Sequence, residues 1–157
     1  MTEGPTALRA ADVPPRPRPS GYPPDLAPKL AGREKRVLGD PFGLANFGVN
    51  LTRLAPGAAS SIHHVHAKSD EWIYVLEGTP TLHVGEAERL LSPGDCAGFP
   101  AGGPPHHLVN RGDRDAVILE VGDRAAGDSV FYPEDDLAAA MQPDGTWRYT
   151  RKDGSPL

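Results

Sequence analysis

The chain has 157 residues, 18 Gly, 18 Pro and a formal net charge of −5. That length allows one domain with a sizeable core, while the acidic balance argues against a nucleic-acid surface and no apolar run reaches bilayer-spanning length. Abundant Gly and Pro break helices and mark turns, so the composition favours a turn-rich β-protein.

Residues 1–36 read as a Pro-rich N-terminal arm. Val13-Pro14-Pro15-Arg16-Pro17-Arg18-Pro19 and Tyr22-Pro23-Pro24 favour extended polyproline geometry, because each ring fixes φ and removes a donor. Such a segment is either a mobile tail or an arm lying across a sheet or a partner subunit, with Tyr22, Leu26 and Leu30 to bury. Met1 to Ser20 carries no apolar signal-peptide core, and Cys96 is the only cysteine. The expectation is a cytoplasmic protein without a disulfide.

From Val37 the pattern becomes that of strands. Phe47, Val49, Leu51 and Arg53 alternate with Asn46, Gly48, Asn50 and Thr52, and Pro56-Gly57 then turns the chain. Ile62 to Ala67 reads as a short strand, and Glu71 to Glu77 as the clearest one. Glu71, Ile73 and Val75 share one face of it; Trp72, Tyr74 and Leu76 share the other. Both faces need cover, the second from a partner subunit or the arm. Thr81–Val84, Glu88–Leu91, Cys96–Phe99, His106–Asn110 and Ala116–Val121 follow as short strands, with Gly78 and Gly94 at turns that need positive φ. Residues 37–125 are thus expected to form a β-sandwich or barrel, and residues 126–157 an extension packed on it. In that extension Pro133-Glu134-Asp135-Asp136-Leu137-Ala138-Ala139-Ala140-Met141 predicts one short helix, its acids placed where the macrodipole favours them. Trp147 to Arg151 predicts a final strand.

The chemistry concentrates in His63-His64-Val65-His66-Ala67-Lys68-Ser69-Asp70-Glu71. Side chains at i and i+2 of a strand leave the same face, so His64 and His66 point together. A hairpin at the polar bend Lys68-Ser69-Asp70 brings the Glu71 carboxylate back beside them. Two imidazole nitrogens and one carboxylate oxygen suit Zn, Mn, Fe, Ni or Cu. A fourth ligand can be sought in Gly94 to Asn110, where His106 and His107 open another strand.

Two spacings carry a resemblance: Gly57-x6-His64-x-His66-x4-Glu71-x6-Gly78 and Gly94-x5-Pro100-x-Gly102-x3-His106-x3-Asn110. Together, in this order, they resemble the paired motifs of the cupin superfamily, each with one residue more than the family pattern before a histidine. Trp147 to Pro156 is also similar to the ending of small bacterial single-domain cupins. The resemblance implies a double-stranded β-helix, or jelly roll, that pairs as a homodimer. It implies one divalent transition metal ion held by His64, His66, Glu71 and His106. Counting back from Asn110 selects His106 and turns His107 to the opposite face. His63 is off the ligand face for the same reason, and His83 reads as plain packing. Asn110 is expected to hydrogen-bond near the ligands, and Cys96 to be a small buried side chain.

These residues point to a metal-dependent enzyme acting on a small, polar, oxygen-bearing metabolite, with Phe99, Ile73 and Val75 as apolar walls. The cupin fold hosts dioxygenases, isomerases, lyases and decarboxylases, so it does not choose the reaction. The alternative is a non-catalytic module that senses a metal or small ligand, since no acid or base stands out beyond the ligands. Neither a nucleic-acid nor a membrane partner is expected.

Overall fold

Glycines and prolines spaced every few residues leave room only for short strands. The computed structural model describes residues 4–17 and 21–157. The described residues form twelve strands, a few 3-10 turns and no α-helix. The strands are β1 (Arg33–Val37), β2 (Phe47–Leu54), β3 (Val65–His66), β4 (Glu71–Glu77), β5 (Thr81–Val84) and β6 (Ala87–Leu90). They continue with β7 (Cys96–Phe99), β8 (His106–Val109), β9 (Ala116–Asp123), β10 (Ser129–Phe131), β11 (Ala138–Met141) and β12 (Trp147–Thr150). Arg18 and Pro19 of the polyproline run lie outside the described residues.

Five strands pair in the order β1-β2-β9-β4-β7. Facing them are two smaller sheets, β12-β11-β10-β3 and β6-β5-β8, joined edge to edge by a bridge between His64 and His106. This is the expected all-β jelly roll. Its main core lies between the layers: Leu54, Ile73, Val75, Phe99, Ala116 and Ile118 from the large sheet meet Leu82 and Leu108 from the small one. Leu54, Val75 and Ile118 are completely buried, each contributing about 1.5–3 kcal/mol. A second cluster of Ile62, Val130, Tyr132, Leu137 and Ala139 fills the other end, with Tyr22, Leu26, Trp147 and Tyr149 packed against it.

Gly78 sits where the chain leaves β4, at φ 75°. A Cβ there would lie 2.6 Å from the Asp115 carbonyl oxygen and 2.7 Å from Ala116 Cα, so only glycine lets β4 turn this close to β9.

The described part of the arm lies along the outer edge of β1. Arg16 N–H donates to the Lys35 carbonyl at 2.9 Å, the Arg36 guanidinium bonds the Val13 carbonyl, and Val13 and Leu30 are buried. The strand β1 itself begins at Arg33, inside the stretch read from sequence as arm. At the opposite side of this sheet, Trp72 and Leu76 remain 38% and 43% exposed.

Two expectations are corrected. The C-terminal helix is absent: Ala138–Met141 is β11, paired with β10 and β12. Leu137 and Ala139 are buried while Ala138 and Ala140 face outward, a period of two that small side chains disguise. A helix this short is too weak to compete with sheet pairing. The acids serve ion pairs instead, Asp135 with Lys29 and Asp136 with Arg151. Cys96 is exposed, not buried. It lies on an edge strand directly opposite Tyr74, and so shares the outward face of β4. Among the described residues no helix is long and apolar enough to cross a membrane.

Candidate metal centre

The layers bring the expected residues together from three strands. His64 and His106 exchange both backbone hydrogen bonds, at 3.2 and 2.8 Å, which fixes them opposite one another across the join between the small sheets. Their ring centroids are 4.9 Å apart, and His66 stands 5.2 Å from His64 on the same face. Glu71, the first residue of β4, reaches up from the large sheet. Its neighbour on β9 is Gly122, where a Cβ would sit 3.5 Å from Glu71 Cγ. Glu71 Oε2 lies 2.8 Å from His106 Nε2 and 3.3 Å from His64 Nε2, and Oε1 lies 3.6 Å from His66 Nε2. His64, His66 and Glu71 each offer a ligand atom within 4.8 Å of the others, a spacing that could hold a metal ion. Phe99 stacks flat on His106, with centroids 3.7 Å apart and planes 4° from parallel.

The other ring nitrogens show why a cation suits this centre. His64 Nδ1 lies 2.8 Å from the Ile62 carbonyl, so it carries the proton and donates. His66 Nδ1 lies 2.6 Å from Asp128 Oδ2 and donates likewise. In the neutral rings both Nε2 atoms are then bare lone pairs aimed at the oxygens of one carboxylate. Lone pair facing lone pair is repulsive. A cation at the common focus, or a proton on each ring, turns the repulsion into attraction. Imidazoles whose second nitrogen is held by a carbonyl or carboxylate are the usual arrangement of metal-binding histidines.

Burial is the largest influence on Glu71 and pushes its carboxyl up. When the rings carry both protons, hydrogen bonds from His106 and His64, and the charges of His64 and His66, outweigh it and hold the group well below the ordinary carboxylate range. His106 is pushed down, chiefly by burial, with its hydrogen bond to Glu71 opposing. Asp128 is raised by burial, but hydrogen bonds from Ser69, His66 and the Lys68 N–H bring it below its ordinary value. It is therefore an anion at neutral pH.

A cavity of about 1060 Å³ opens beside the cluster, with Ile73 and Phe99 as apolar wall and Tyr22, Trp147 and Tyr149 at the rim of the second core. Burial pushes the Tyr22 hydroxyl up to about 12. Val75 lies in the core and not on this wall. Asn110 does not serve the imidazoles. Its amide donates to the Leu54 and Arg114 carbonyls, at 2.8 and 2.7 Å, and its oxygen accepts from Gly112 N–H; it closes the loop after β8. His63 and His107 point to the opposite face, where His63 Nδ1 meets Glu134 at 3.1 Å and His107 Nδ1 meets the Ser61 carbonyl at 3.0 Å. Asp128 is the residue that sequence reasoning missed. It stands 62 positions from His66, and its only local sign is an acid between the turn glycine Gly127 and β10.

Comparison with known proteins places these features in a family. A family model described as cupin domain matches residues 50–122. A crystal structure described as a sugar phosphate isomerase from a cupin superfamily, from Silicibacter pomeroyi, is 42% identical, superposes with a TM-score of 0.89, and covers 96% of each chain. A protein of Acidithiobacillus ferrooxidans, named provisionally as a sugar phosphate isomerase, is 31% identical with a TM-score of 0.72 and 80% of each chain covered. Germin-like protein subfamily 2 member 1 of Arabidopsis thaliana is 33% identical over 135 residues, which cover 73% of this chain. The chain spans 60% of the length of that curated relative.

Proposed function

The chain belongs to the cupin superfamily, and from that premise we propose that it is a mononuclear metal-dependent enzyme that isomerises a phosphorylated sugar. The ligands in this reading are His64, His66, Glu71 and His106, and the ion is one divalent transition metal among Zn, Mn, Fe, Ni and Cu. The observation that carries it is the convergence of three Nε2 atoms on one carboxylate, two of them with Nδ1 already committed as donors. The reaction class is supported by the Silicibacter pomeroyi relative, which is similar over nearly the whole chain.

When bound, the ion supplies Lewis-acid polarisation of neighbouring sugar oxygens. Aldose–ketose interconversion moves protons between adjacent carbons and oxygens with no net redox change, so no co-substrate is required. Phe99 and Ile73 shield one side of the cavity from water. Tyr22 keeps its proton at neutral pH, its hydroxyl having been pushed up to about 12 chiefly by burial, and at the cavity wall it hydrogen-bonds Tyr132. We also assign the outer face of β4, with Trp72, Tyr74 and Leu76, to a second copy of the chain, giving a homodimer.

The test couples metal content to turnover. Protein purified without chelator is analysed for metals and assayed against a panel of aldose and ketose phosphates. The reading expects about one transition metal per chain, with isomerisation abolished in His66→Ala together with the metal. Turnover by a metal-free variant would overturn it, and ligand-induced stabilisation without product across the panel would transfer the protein to the sensing class.

A further inference from the structure

We propose that the β1 edge of the cavity is a subsite for the phosphate group of a phosphate monoester, built by Arg16, Arg33, Lys35 and Tyr149. This rests on the isomerase reading for what occupies the other end of the cavity, and deepens it by assigning the anion-binding residues.

The floor of the cavity is the inner face of the large sheet. Arg33 and Lys35 sit on it at the β1 edge, paired with Leu54 and Thr52 of β2. Glu71 rises from β4, three strand spacings across and, by register, four residues further along than Lys35, about 20 Å of backbone. Long side chains reaching inward shorten that gap to the span of an open-chain sugar carrying a phosphate at one end. A compact dianion such as oxalate is too short to touch both ends.

The charges at this edge do not balance. Glu120 is the carboxylate of the group, and it is engaged by Lys35 Nζ at 3.0 Å and by the Thr52 hydroxyl at 2.6 Å. Three cations therefore face one acid, a surplus that matches a phosphate monoester at neutral pH. Among the described residues the Arg16 guanidinium has no carboxylate partner. Arg16, Arg33 and Tyr149 nevertheless line the same cavity, close enough for the two guanidinium charges to oppose one another. Two like charges at the mouth of a cavity, Arg33 half-buried and Arg16 exposed, favour an anion that joins them. Arg33 is tied by Nη1 to the Ser60 carbonyl at 2.7 Å, which fixes its fork against the segment that carries His64. On β2, midway across the floor, Asn50 Oδ1 is buried without a hydrogen-bond partner, an acceptor placed for a sugar hydroxyl.

The subsite also gives the arm a task. The backbone bond from Arg16 to Lys35 and the burial of Val13 hold the arm where Arg16 closes the edge of the cavity.

Calorimetric titration of the full-length protein with inorganic phosphate at low ionic strength tests this, using wild type, Arg16→Ala, Arg33→Gln and His66→Ala. Phosphate binding weakened about tenfold or more in Arg16→Ala and Arg33→Gln, and retained in His66→Ala, supports the subsite. Arg16 is exposed, so an unchanged Tm in Arg16→Ala excludes misfolding as the cause. Equal affinity in wild type and both arginine variants overturns it, as does oxalate binding that depends on the same arginines as phosphate does. Metal content measured on the same samples separates the two claims. Metal present with no arginine-dependent phosphate binding defeats the subsite alone; arginine-dependent phosphate binding without metal defeats the metal reading and leaves the subsite standing.

Discussion

The two faces of the same strands carry similar residues and do different things. On the inner face His64, His66 and His106 converge on Glu71. On the outer face, one residue away along each strand, His63 and His107 lie ring to ring at 5.0 Å, and His83 meets His107 edge-on at 5.0 Å. The outer acids do not converge: Glu134 pairs with His63, and Glu88 pairs with His83 and Arg111. A count of histidines cannot tell the faces apart. What separates them is one carboxylate at a shared focus, and second nitrogens already held by Ile62 and Asp128.

The sharpest way to break this comparison is to remove the focus. Glu71→Gln keeps the size of the side chain and deletes its charge; metal retention in elemental analysis is expected to be lost, whereas His107→Gln retains the wild-type content. Equal metal loss in both would erase the distinction between the faces. A step smaller is Asp128→Asn, which leaves every ligand in place but weakens the hold on His66. Competition with a chelator should show metal affinity lower by about 10–100-fold, while Glu134→Gln, the matching change outside, shifts nothing.

How much of this was legible follows from the same geometry. The period of two along His64-Val65-His66 and Glu71-Trp72-Ile73 was readable because polar and apolar side chains contrast strongly there. The alternation in Leu137 to Ala140 was not, since three alanines look alike on either face and resemble a helix in composition. Asn110 shares a face with His106, yet its partners, the Leu54 and Arg114 carbonyls, are set by how a loop closes. Asp128 and Arg33 reach the cavity through sheet order, which local spacing does not encode. Cys96 looked like core, but its strand lies at the sheet edge, opposite an outward-facing tyrosine.

Acid sharpens the comparison on the outer side. Burial pushes His107 down to about 4, with His63 and His83 adding to the effect and the Ser61 carbonyl opposing it. A ring that binds its proton less readily when folded contributes stability that is complete above its unfolded value, near 6.5, and is lost as pH falls towards about 4. The urea midpoint of metal-free protein should fall across that window. His107→Gln should flatten the slope; an unchanged slope would mean that His107 is protonated with little penalty. The smallest effect at the centre is expected from Trp72→Lys on the outer face of β4. It should halve the mass seen by light scattering and leave metal content unchanged. A wild-type chain that is already monomeric would remove the assignment of that face to a second copy.

The most direct measurement is diffraction from crystals grown without chelator, with anomalous data collected on both sides of the absorption edge of the metal found by elemental analysis. The account predicts a single anomalous peak per chain, about 2.0–2.2 Å from the Nε2 atoms of His64, His66 and His106 and from a carboxylate oxygen of Glu71. A peak between His63 and His107, or none at the inner cluster in protein that still turns over substrate, would contradict it.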